Sequence, residues 1–148
     1  MPVHRETRVL PYTPQQVFDL VADVEKYPEF LPWCVACRID RRESPAQFIA
    51  DLAVGFRFVR EKFTSRVTLD APNAVTVEYL DGPFRYLKNE WTFRPTQGGR
   101  ATEVEFFLEF EFRSKLLQSL IGMLFEEAVH RMVAAFETRA KALYASAG

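Results

Sequence analysis

Two cysteines, Cys34 and Cys37, carry the most reactive groups in this sequence, within a Trp-Cys-x-x-Cys string of the kind found in thiol-disulfide enzymes. In such enzymes the pair begins a helix, and the helix dipole lowers the thiol pKa. Here the apolar residues alternate at Val35, Cys37 and Ile39, which predicts a strand instead. On a strand the two sulfurs point to opposite faces and lie roughly 10 Å apart, too far for a disulfide.

The same residues give little support for a metal site. Zinc requires three or four ligands, and the remaining candidates are the isolated His4 and His130. We therefore predict no bound metal and interpret Cys34 and Cys37 as small, buried or half-buried thiols. A redox or metal role is the alternative interpretation.

Recognisable catalytic arrangements are missing from the sequence. His130 falls opposite the apolar stripe of its helix, one turn from Glu126 and Glu127, which predicts a solvated histidine in a surface charge cluster. His4 has no sequence neighbour that would make it a catalytic base. The sequence contains no serine in a nucleophile elbow, no glycine loop for phosphate and no close carboxylate pair. We therefore predict that the protein is not an enzyme.

Length and net charge limit the possible domain organisation and the possible binding partners. A chain of 148 residues fits one domain, residues 1–148, large enough for a core or for a core with a cavity. Its net charge is −1, so no overall field attracts DNA or an anionic membrane. No apolar run approaches the roughly 20 residues of a membrane span, and the N-terminus has no apolar signal region, so we expect a cytoplasmic protein.

Caps and turn residues divide the chain into elements. Thr13 is predicted to cap a helix that starts at Pro14, and Pro28 ends this helix or starts a short second one. Ser114 is predicted to cap a helix of about 30 residues that reaches about Ala145. The predicted strands are Val3–Leu10, Val35–Arg42, Gln47–Val54, Arg57–Leu69, Ala74–Leu80, Arg85–Pro95 and Thr102–Phe112.

These elements predict an α+β fold in which the helices cover one face of a curved antiparallel sheet. The last strand, Thr102–Phe112, alternates apolar residues with glutamates, so one face of the sheet is apolar and the other is wet. A strongly bent sheet around a long helix need not fill the space between them. Many of the 14 Phe could therefore line a cavity.

Five segments of the chain, VADVEKYPEFLPWC, FTSRV, GPFRYLKNEWTFRP, TEVEFFLEFEFRSKLL and MVAAFETRAKALY, together resemble one family in order and spacing. They resemble the coenzyme Q-binding proteins and their bacterial relatives in the START-like polyketide cyclase/dehydrase superfamily, over essentially the whole chain. The stretch from Tyr27 to Cys34 resembles the part that closes one end of the family's cavity.

The resemblance implies a helix-grip (START/Bet v 1-like) fold that holds ubiquinone as a bound ligand, with no other cofactor, and acts as a quinone chaperone for respiration or quinone biosynthesis. It also implies transient contact with a membrane surface, and so a place at the periphery of the inner membrane. Some bacterial members are instead described as toxins that block association of ribosomal subunits, so the ribosome is the alternative partner. A cyclase-like cavity enzyme is the third alternative.

The predicted ligand site combines the inward strand positions with the long helix and the segment after Pro28. Its residues are Phe30, Leu31, Trp33, Phe48, Leu52, Glu61, Phe63, Val67, Val77, Tyr79, Leu87, Asn89, Trp91, Phe106, Leu108, Phe110, Leu117, Leu124, Phe125 and Met132. Trp91 is expected to stack on the quinone ring, with plain core packing as the alternative. Phe30 and Trp33 are expected to close the pocket or to dip into a membrane interface, unless they simply pack into the domain.

Two polar residues, Glu61 and Asn89, fall on the inward faces. Asn89 could donate to a quinone carbonyl, and Glu61 could pair with an arginine or order water. The alternatives are an internal hydrogen bond unrelated to ligand, or a bulge near Phe56 that turns Glu61 outward.

The ribosome alternative depends on the outer face of the predicted strand Arg57–Leu69, which also carries Glu61. On this outer face Arg60, Lys62 and Arg66 form a basic stripe. Such a stripe could contact RNA phosphates, and binding would then weaken with salt. The alternative is a solvated face that pairs with the glutamate-rich outer face of another strand.

Overall fold

Alternation of apolar and polar residues shapes one large sheet in the computed structural model, which describes residues 3–31, 34–56 and 59–144. Within these residues seven antiparallel strands form the order β1-β7-β6-β5-β4-β3-β2. The strands are β1 (Val3–Leu10), β2 (Cys34–Ser44), β3 (Gln47–Phe56), β4 (Val59–Asp70), β5 (Ala74–Asp81), β6 (Phe84–Thr96) and β7 (Ala101–Phe112). The helices are α1 (Pro14–Ala22), a 3-10 helix (Val24–Glu29), a short 3-10 turn (Gln97–Gly99) and α2 (Lys115–Tyr144).

The predicted caps start both α-helices. Thr13 and Gln16 form a capping box, in which the Thr13 hydroxyl accepts from the Gln16 N–H at 3.2 Å and the Gln16 side chain accepts from the Thr13 N–H at 2.9 Å. The Ser114 hydroxyl accepts from the Leu117 N–H at 3.2 Å at the start of α2. The end of α1 differs from the prediction, because the helix stops at Ala22 and Pro28 lies inside the 3-10 helix.

An extra residue in β2 corrects the prediction for the cysteines. Cys34 pairs with Val54 and Ala36 pairs with Ala53, so two steps along β2 match one step along β3. This β-bulge reverses the alternation after it and places Cys37 opposite Leu52, on the same face as Cys34. The expectation of opposite faces is therefore wrong, whereas the expected burial is found: Cys34 is buried and Cys37 is half-buried.

The register of β4 settles which of its faces is inward. β3 and β4 pair without a shift over the whole length of β3. Phe63, Ser65 and Val67 therefore share one face with Glu61, and all four lie on the concave side of the sheet. The prediction that Glu61 faces inward is confirmed, and no bulge turns it outward.

The helices lie on the concave face of this sheet, and the predicted α+β helix-grip arrangement is confirmed. Helix α1 packs its apolar stripe against one end of the sheet, where Val17 and Val21 are 2% and 1% exposed. Among the described residues, no helix is long and apolar enough to cross a membrane.

Candidate ligand-binding cavity

A cavity of about 240 Å³ lies between the concave face of the sheet and helix α2. Strands β2 to β7 supply most of its wall, and α2 closes it with Ile121, Phe125, Ala128, Val129, Met132 and Phe136. These helix residues follow a spacing of three and four, so they fall on one face of the helix. The wall is almost entirely apolar, as expected for a site that binds an apolar ligand.

Aromatic rings form the densest part of the wall. Trp91 on β6 is 8% exposed, and its ring centroid lies 4.7 Å from that of Phe106 and 5.0 Å from that of Phe136 on α2. Phe110 approaches Phe125 of α2 with a centroid distance of 5.3 Å. The Trp91–Phe106 pair is tilted and the other two pairs are edge-to-face, so the sheet and α2 together present a packed aromatic surface to the cavity.

The 3-10 helix closes one end of the cavity. Val24, Tyr27 and Leu31 lie on the wall there. The Tyr27 hydroxyl donates a hydrogen bond to the Val21 carbonyl, and burial raises the pKa of this phenol, so it stays protonated. The Tyr27 ring meets the Phe136 ring edge-on at 5.5 Å, which joins this end wall to α2.

A few polar groups interrupt the apolar wall. The Asn89 amide donates to the Phe107 carbonyl at 2.9 Å, which is the internal hydrogen bond that the sequence left as an alternative. Glu61 lies on the wall, and no arginine or other partner for its carboxylate is found among the described residues. The Ser65 hydroxyl is also on the wall. These groups could orient a ligand that carries polar atoms on an apolar frame.

The two thiols also face the cavity. Burial raises the pKa of Cys34 to about 11, and burial together with the nearby Cys34 raises the pKa of Cys37 to about 12. Reactive cysteines need the thiolate, so both side chains act as small apolar groups at neutral pH. Among the described residues, no group of three or more His, Cys, Asp or Glu is placed to hold a metal ion.

Most of the predicted site residues lie on the wall. These are Leu31, Leu52, Glu61, Phe63, Val67, Val77, Leu87, Asn89, Trp91, Phe106, Leu108, Phe110, Phe125 and Met132. Trp33 and the side chain of Leu124 lie outside the described residues. Whether the wall residues contact a ligand stays a prediction.

Four predicted residues lie away from this wall. Phe48 shares the inner face but is 1% exposed and fully packed in the core. Tyr79 turns its hydroxyl to accept from the Phe84 N–H at 3.0 Å. Phe30 packs behind the end wall, with its ring centroid 5.2 Å from that of Phe136, and the Arg139 guanidinium lies over it. Leu117 is half-buried in the first turns of α2.

The predicted site left out other wall residues: Val24, Tyr27, Cys34, Cys37, Ala50, Val54, Ser65, Val75, Phe84, Phe112, Ile121, Ala128, Val129 and Phe136. Most of these carried an available signal. The strand alternation continues through Ala50, Val54, Ser65, Val75 and Phe112, and the apolar stripe of the long helix includes Ile121, Ala128 and Phe136. Tyr27 and Cys34 belong to the segment that resembles the closed end of the family's cavity. Cys37 carried no signal, since the bulge at Val35 has no sequence signature of its own.

The two histidines have different surroundings. His130 is exposed, with its Nε2 3.9 Å from a Glu126 carboxylate oxygen, as predicted. His4 lies on the inner side of β1 with its Nε2 2.9 Å from a Glu6 carboxylate oxygen, so the strand supplies a partner that the sequence reading had not assigned. Arg8 also bonds to Glu6, and it joins β1 to Glu137 of α2.

The predicted basic stripe lies on the outer face of β4. Arg66 is held by carboxylates on both sides, at 2.9 Å from Glu43 and 3.1 Å from Glu78. Lys62 is exposed on the same face. Pairing with glutamates of other strands, the alternative named for this face, therefore applies to Arg66, whose partners lie on β2 and β5.

Comparisons with known proteins agree with this geometry. A family model described as polyketide cyclase / dehydrase and lipid transport matches residues 10–137. The ribosome association toxin RatA of Rickettsia prowazekii (strain Madrid E) is 41% identical over 141 residues, which cover 93% of this chain and 94% of that protein. The mitochondrial coenzyme Q-binding protein COQ10 homolog B of Xenopus laevis is 34% identical over 144 residues, covering 95% of this chain and 59% of that protein.

A solved structure is similar over the same length. The solution structure of an 18 kDa protein from Caulobacter crescentus matches with a TM-score of 0.80 and 42% identity, covering 98% of this chain and 99% of that one. Sequence and fold agree over most of the chain, and the chain belongs to the polyketide cyclase/dehydrase and lipid transport family.

Proposed function

We propose that this protein binds the head group of an isoprenoid quinone, ubiquinone in the first instance, and carries it as a chaperone without transforming it. The observation that carries the proposal is the aromatic and aliphatic cavity between the sheet and α2. Trp91 and Phe106 present ring surfaces on which a flat quinone can stack. The name of the Xenopus laevis relative supports the same ligand.

The volume of the cavity limits how much of the ligand it encloses. A cavity of about 150 Å³ is known to hold benzene, and this one measures about 240 Å³. The space therefore suits a substituted ring with a short piece of tail. A long isoprenoid tail would leave the cavity, and transient contact with a membrane surface would let it pass between protein and lipid.

Chemistry on the ligand is not part of the proposal. The inward thiols are protonated at neutral pH because burial raises their pKa, and the Asn89 amide is engaged with the backbone. The relatives carry names of a toxin and of a binding protein. A cyclase that acts by shaping its substrate is the remaining enzyme alternative, and a changed ligand would reveal it.

The test is to purify the protein gently from its own host, extract it with organic solvent and identify co-purifying lipid by mass spectrometry. We expect near-stoichiometric, chemically unchanged quinone, and none from an unrelated control protein. An Ala50→Leu variant, which fills part of the cavity wall, serves as the matched control and should retain less. A protein without quinone that also fails to take up added quinone would refute the proposal.

A second candidate is association with the ribosome, and the name of the Rickettsia prowazekii relative favours it. The surface in question is the outer face of β4 with Arg60, Lys62 and Arg66. Reversing these three charges to glutamate should abolish co-sedimentation with ribosomes if this face binds RNA.

The matched control for that test reverses three exposed cations of β6, Arg85, Lys88 and Arg94. It makes the same change in net charge on another strand. Loss of ribosome association only in the β4 variant would support the second candidate. Retained association in the β4 variant would count against it.

A further inference from the structure

The hydroxyl of Ser65 is one of two buried side-chain groups that have no hydrogen-bond partner among the described residues; the other is the Arg139 Nε. Ser65 is 5% exposed, and its Oγ is buried on the cavity wall. Burying a hydroxyl in this way costs stability, and nearly all buried hydroxyls in native proteins have a partner. A bound ligand that accepts from Ser65 would remove this cost.

The neighbours of Ser65 on the inner face supply no hydrogen-bond partner for its hydroxyl. Ala50 lies directly opposite on β3, and Phe63 and Val67 lie two residues away along β4. Tyr79, the partner on β5, directs its hydroxyl to the Phe84 N–H instead. Ala50 and Ser65 are also small, so the wall is set back at this point compared with its aromatic surroundings. Ser65 therefore lies on a recessed part of the wall, next to the space that a ligand would fill.

The charge of the wall restricts the ligand. Among the described residues that line the cavity, Glu61 is the one charged side chain, and no lysine or arginine is present. An anionic head group would meet no counter-ion and would be buried at high cost. An uncharged carbonyl needs only one hydrogen bond, which Ser65 can donate.

We propose that Ser65 anchors the head of an uncharged carbonyl lipid, by donating its hydroxyl hydrogen to a ligand carbonyl oxygen against the β3–β4–β5 part of the wall. This inference rests on the proposed function and names the ligand class that the cavity selects. Hydrocarbons lack the acceptor, and fatty-acid anions carry a charge that the wall does not neutralise. The Asn89 amide, two strands away on β6, is a second polar point on the same wall.

The experiment measures the binding of four ligands with matched tails by isothermal titration calorimetry. The probes are a decyl-substituted ubiquinone head, decyl phenyl ketone, decylbenzene and dodecanoate. The proteins are the wild type, Ser65→Ala, and Ser65→Ala combined with Ala50→Ser. The double variant moves the hydroxyl to the facing strand, about 5 Å away, and so tests whether a hydroxyl at this part of the wall is sufficient.

We expect Ser65→Ala to weaken binding of the quinone and the ketone by about fivefold to tenfold, the usual effect of one buried hydrogen bond, and to leave decylbenzene unchanged. The double variant should recover part of the loss. Dodecanoate should bind weakly to every variant. Without ligand, Ser65→Ala should melt about 3 °C higher than the wild type, because an unpartnered hydroxyl is removed.

The outcomes separate this inference from the proposed function. Equal loss for decylbenzene and the carbonyl ligands, or no loss for either carbonyl ligand, would overturn the role of Ser65. Dodecanoate that binds as tightly as the quinone would overturn the uncharged ligand class. A wild type that binds the ketone through Ser65 but not the quinone would keep this inference and refute the quinone proposal. A wild type that binds neither carbonyl ligand would refute both.

Discussion

The two ends of the concave sheet face share the same strand alternation but have different interiors. At one end α1 fills the space: Phe18 meets Phe93 edge-on with a centroid distance of 6.1 Å, and Phe93 and Val17 are both 2% exposed. At the other end the inward residues, including Phe63 and Ser65, surround a cavity of about 240 Å³.

The difference shows that the covering elements, rather than the strands, decide where the core is solid. The nine residues of α1 insert a full apolar stripe at one end, and the Tyr144 hydroxyl of α2 donates to the Gln16 carbonyl at 3.0 Å to hold that end together. Over the other end α2 and the 3-10 helix cover the sheet without filling the space, and the wall there includes the small side chains of Ala50 and Ser65. A solid end can supply stability, which leaves the hollow end available for binding.

The largest effect is expected from removing a ring at the solid end. Phe93→Ala should lower the free energy of unfolding by about 3 to 5 kcal/mol, because a fully packed ring leaves a cavity behind. Phe63→Ala at the hollow end is the matched variant and should cost clearly less, since its half-buried ring already borders open space. Urea denaturation measures both, and equal losses would contradict the distinction between the two ends.

Enlarging a buried alanine should destabilise the protein at the solid end and stabilise it at the hollow end. Ala140 is 0% exposed near α1, so Ala140→Leu should overpack the core and destabilise it by about 1 to 3 kcal/mol. Ala50→Leu adds the same atoms on the cavity wall and should stabilise the unliganded protein by about 0.5 to 2 kcal/mol. Thermal unfolding without ligand checks the pair, and destabilisation of similar size by both variants would show that the cavity cannot accept side-chain atoms.

Trp91 lies between the solid end and the hollow end. Replacing it with alanine therefore tests ligand binding at the hollow end. Trp91→Ala should weaken quinone binding about tenfold through lost stacking, while circular dichroism shows a folded protein. Trp91→Phe retains a ring and should lose less. Unchanged quinone binding in a folded Trp91→Ala variant would remove this residue from the ligand site.

The smallest effect is expected from acid, at the polar seam between β1 and α2. Burial raises the pKa of the Glu6 carboxyl, but hydrogen bonds from Arg8 and His4 outweigh it and hold the pKa below its ordinary value of 4.5. A carboxyl whose pKa is lower in the folded state stabilises the fold above the unfolded pKa, and this contribution is lost as the pH falls through the folded value.

Glu6→Gln should therefore be slightly less stable than the wild type at pH 7. The difference in unfolding free energy should shrink as the pH falls below about 4.5, the unfolded value for a glutamate. Urea titrations at several pH values measure it. A difference that stayed constant down to pH 3 would show that the Glu6 charge contributes nothing to folding.

Much of the fold was predictable because its signals are local. The capping residues Thr13 and Ser114 mark helix starts in the sequence, and alternating apolar residues mark the strands. The end of α1 was harder to predict from the sequence. Val24 continues the apolar spacing of α1, yet the chain from Val24 to Glu29 forms a 3-10 helix. The segment also packs against β2, a contact that local sequence signals do not describe.

The sequence predicted which side chains of the candidate site face inward, but it did not predict how far the cavity extends. Strand phase placed Glu61, Asn89 and Trp91 on the inner face correctly. Phe48 has the same phase, yet it lies in the solid core, because the extent of the cavity depends on how the helices cover the sheet. The bulge at Val35 changes the phase within a strand, so no alternation count could place Cys37 inward.

The same irregular strand has a consequence for association between copies of the chain. β2 is an edge strand, and its register against β3 shifts at three places along its length. It also carries several charged residues between Arg38 and Glu43, and because some of them are adjacent in the strand they point to both of its faces. Bulges and charges along an edge prevent a second strand from pairing with it in a regular ladder. An open sheet with a hollow core is thereby protected from edge-to-edge aggregation on the side where the two cysteines lie.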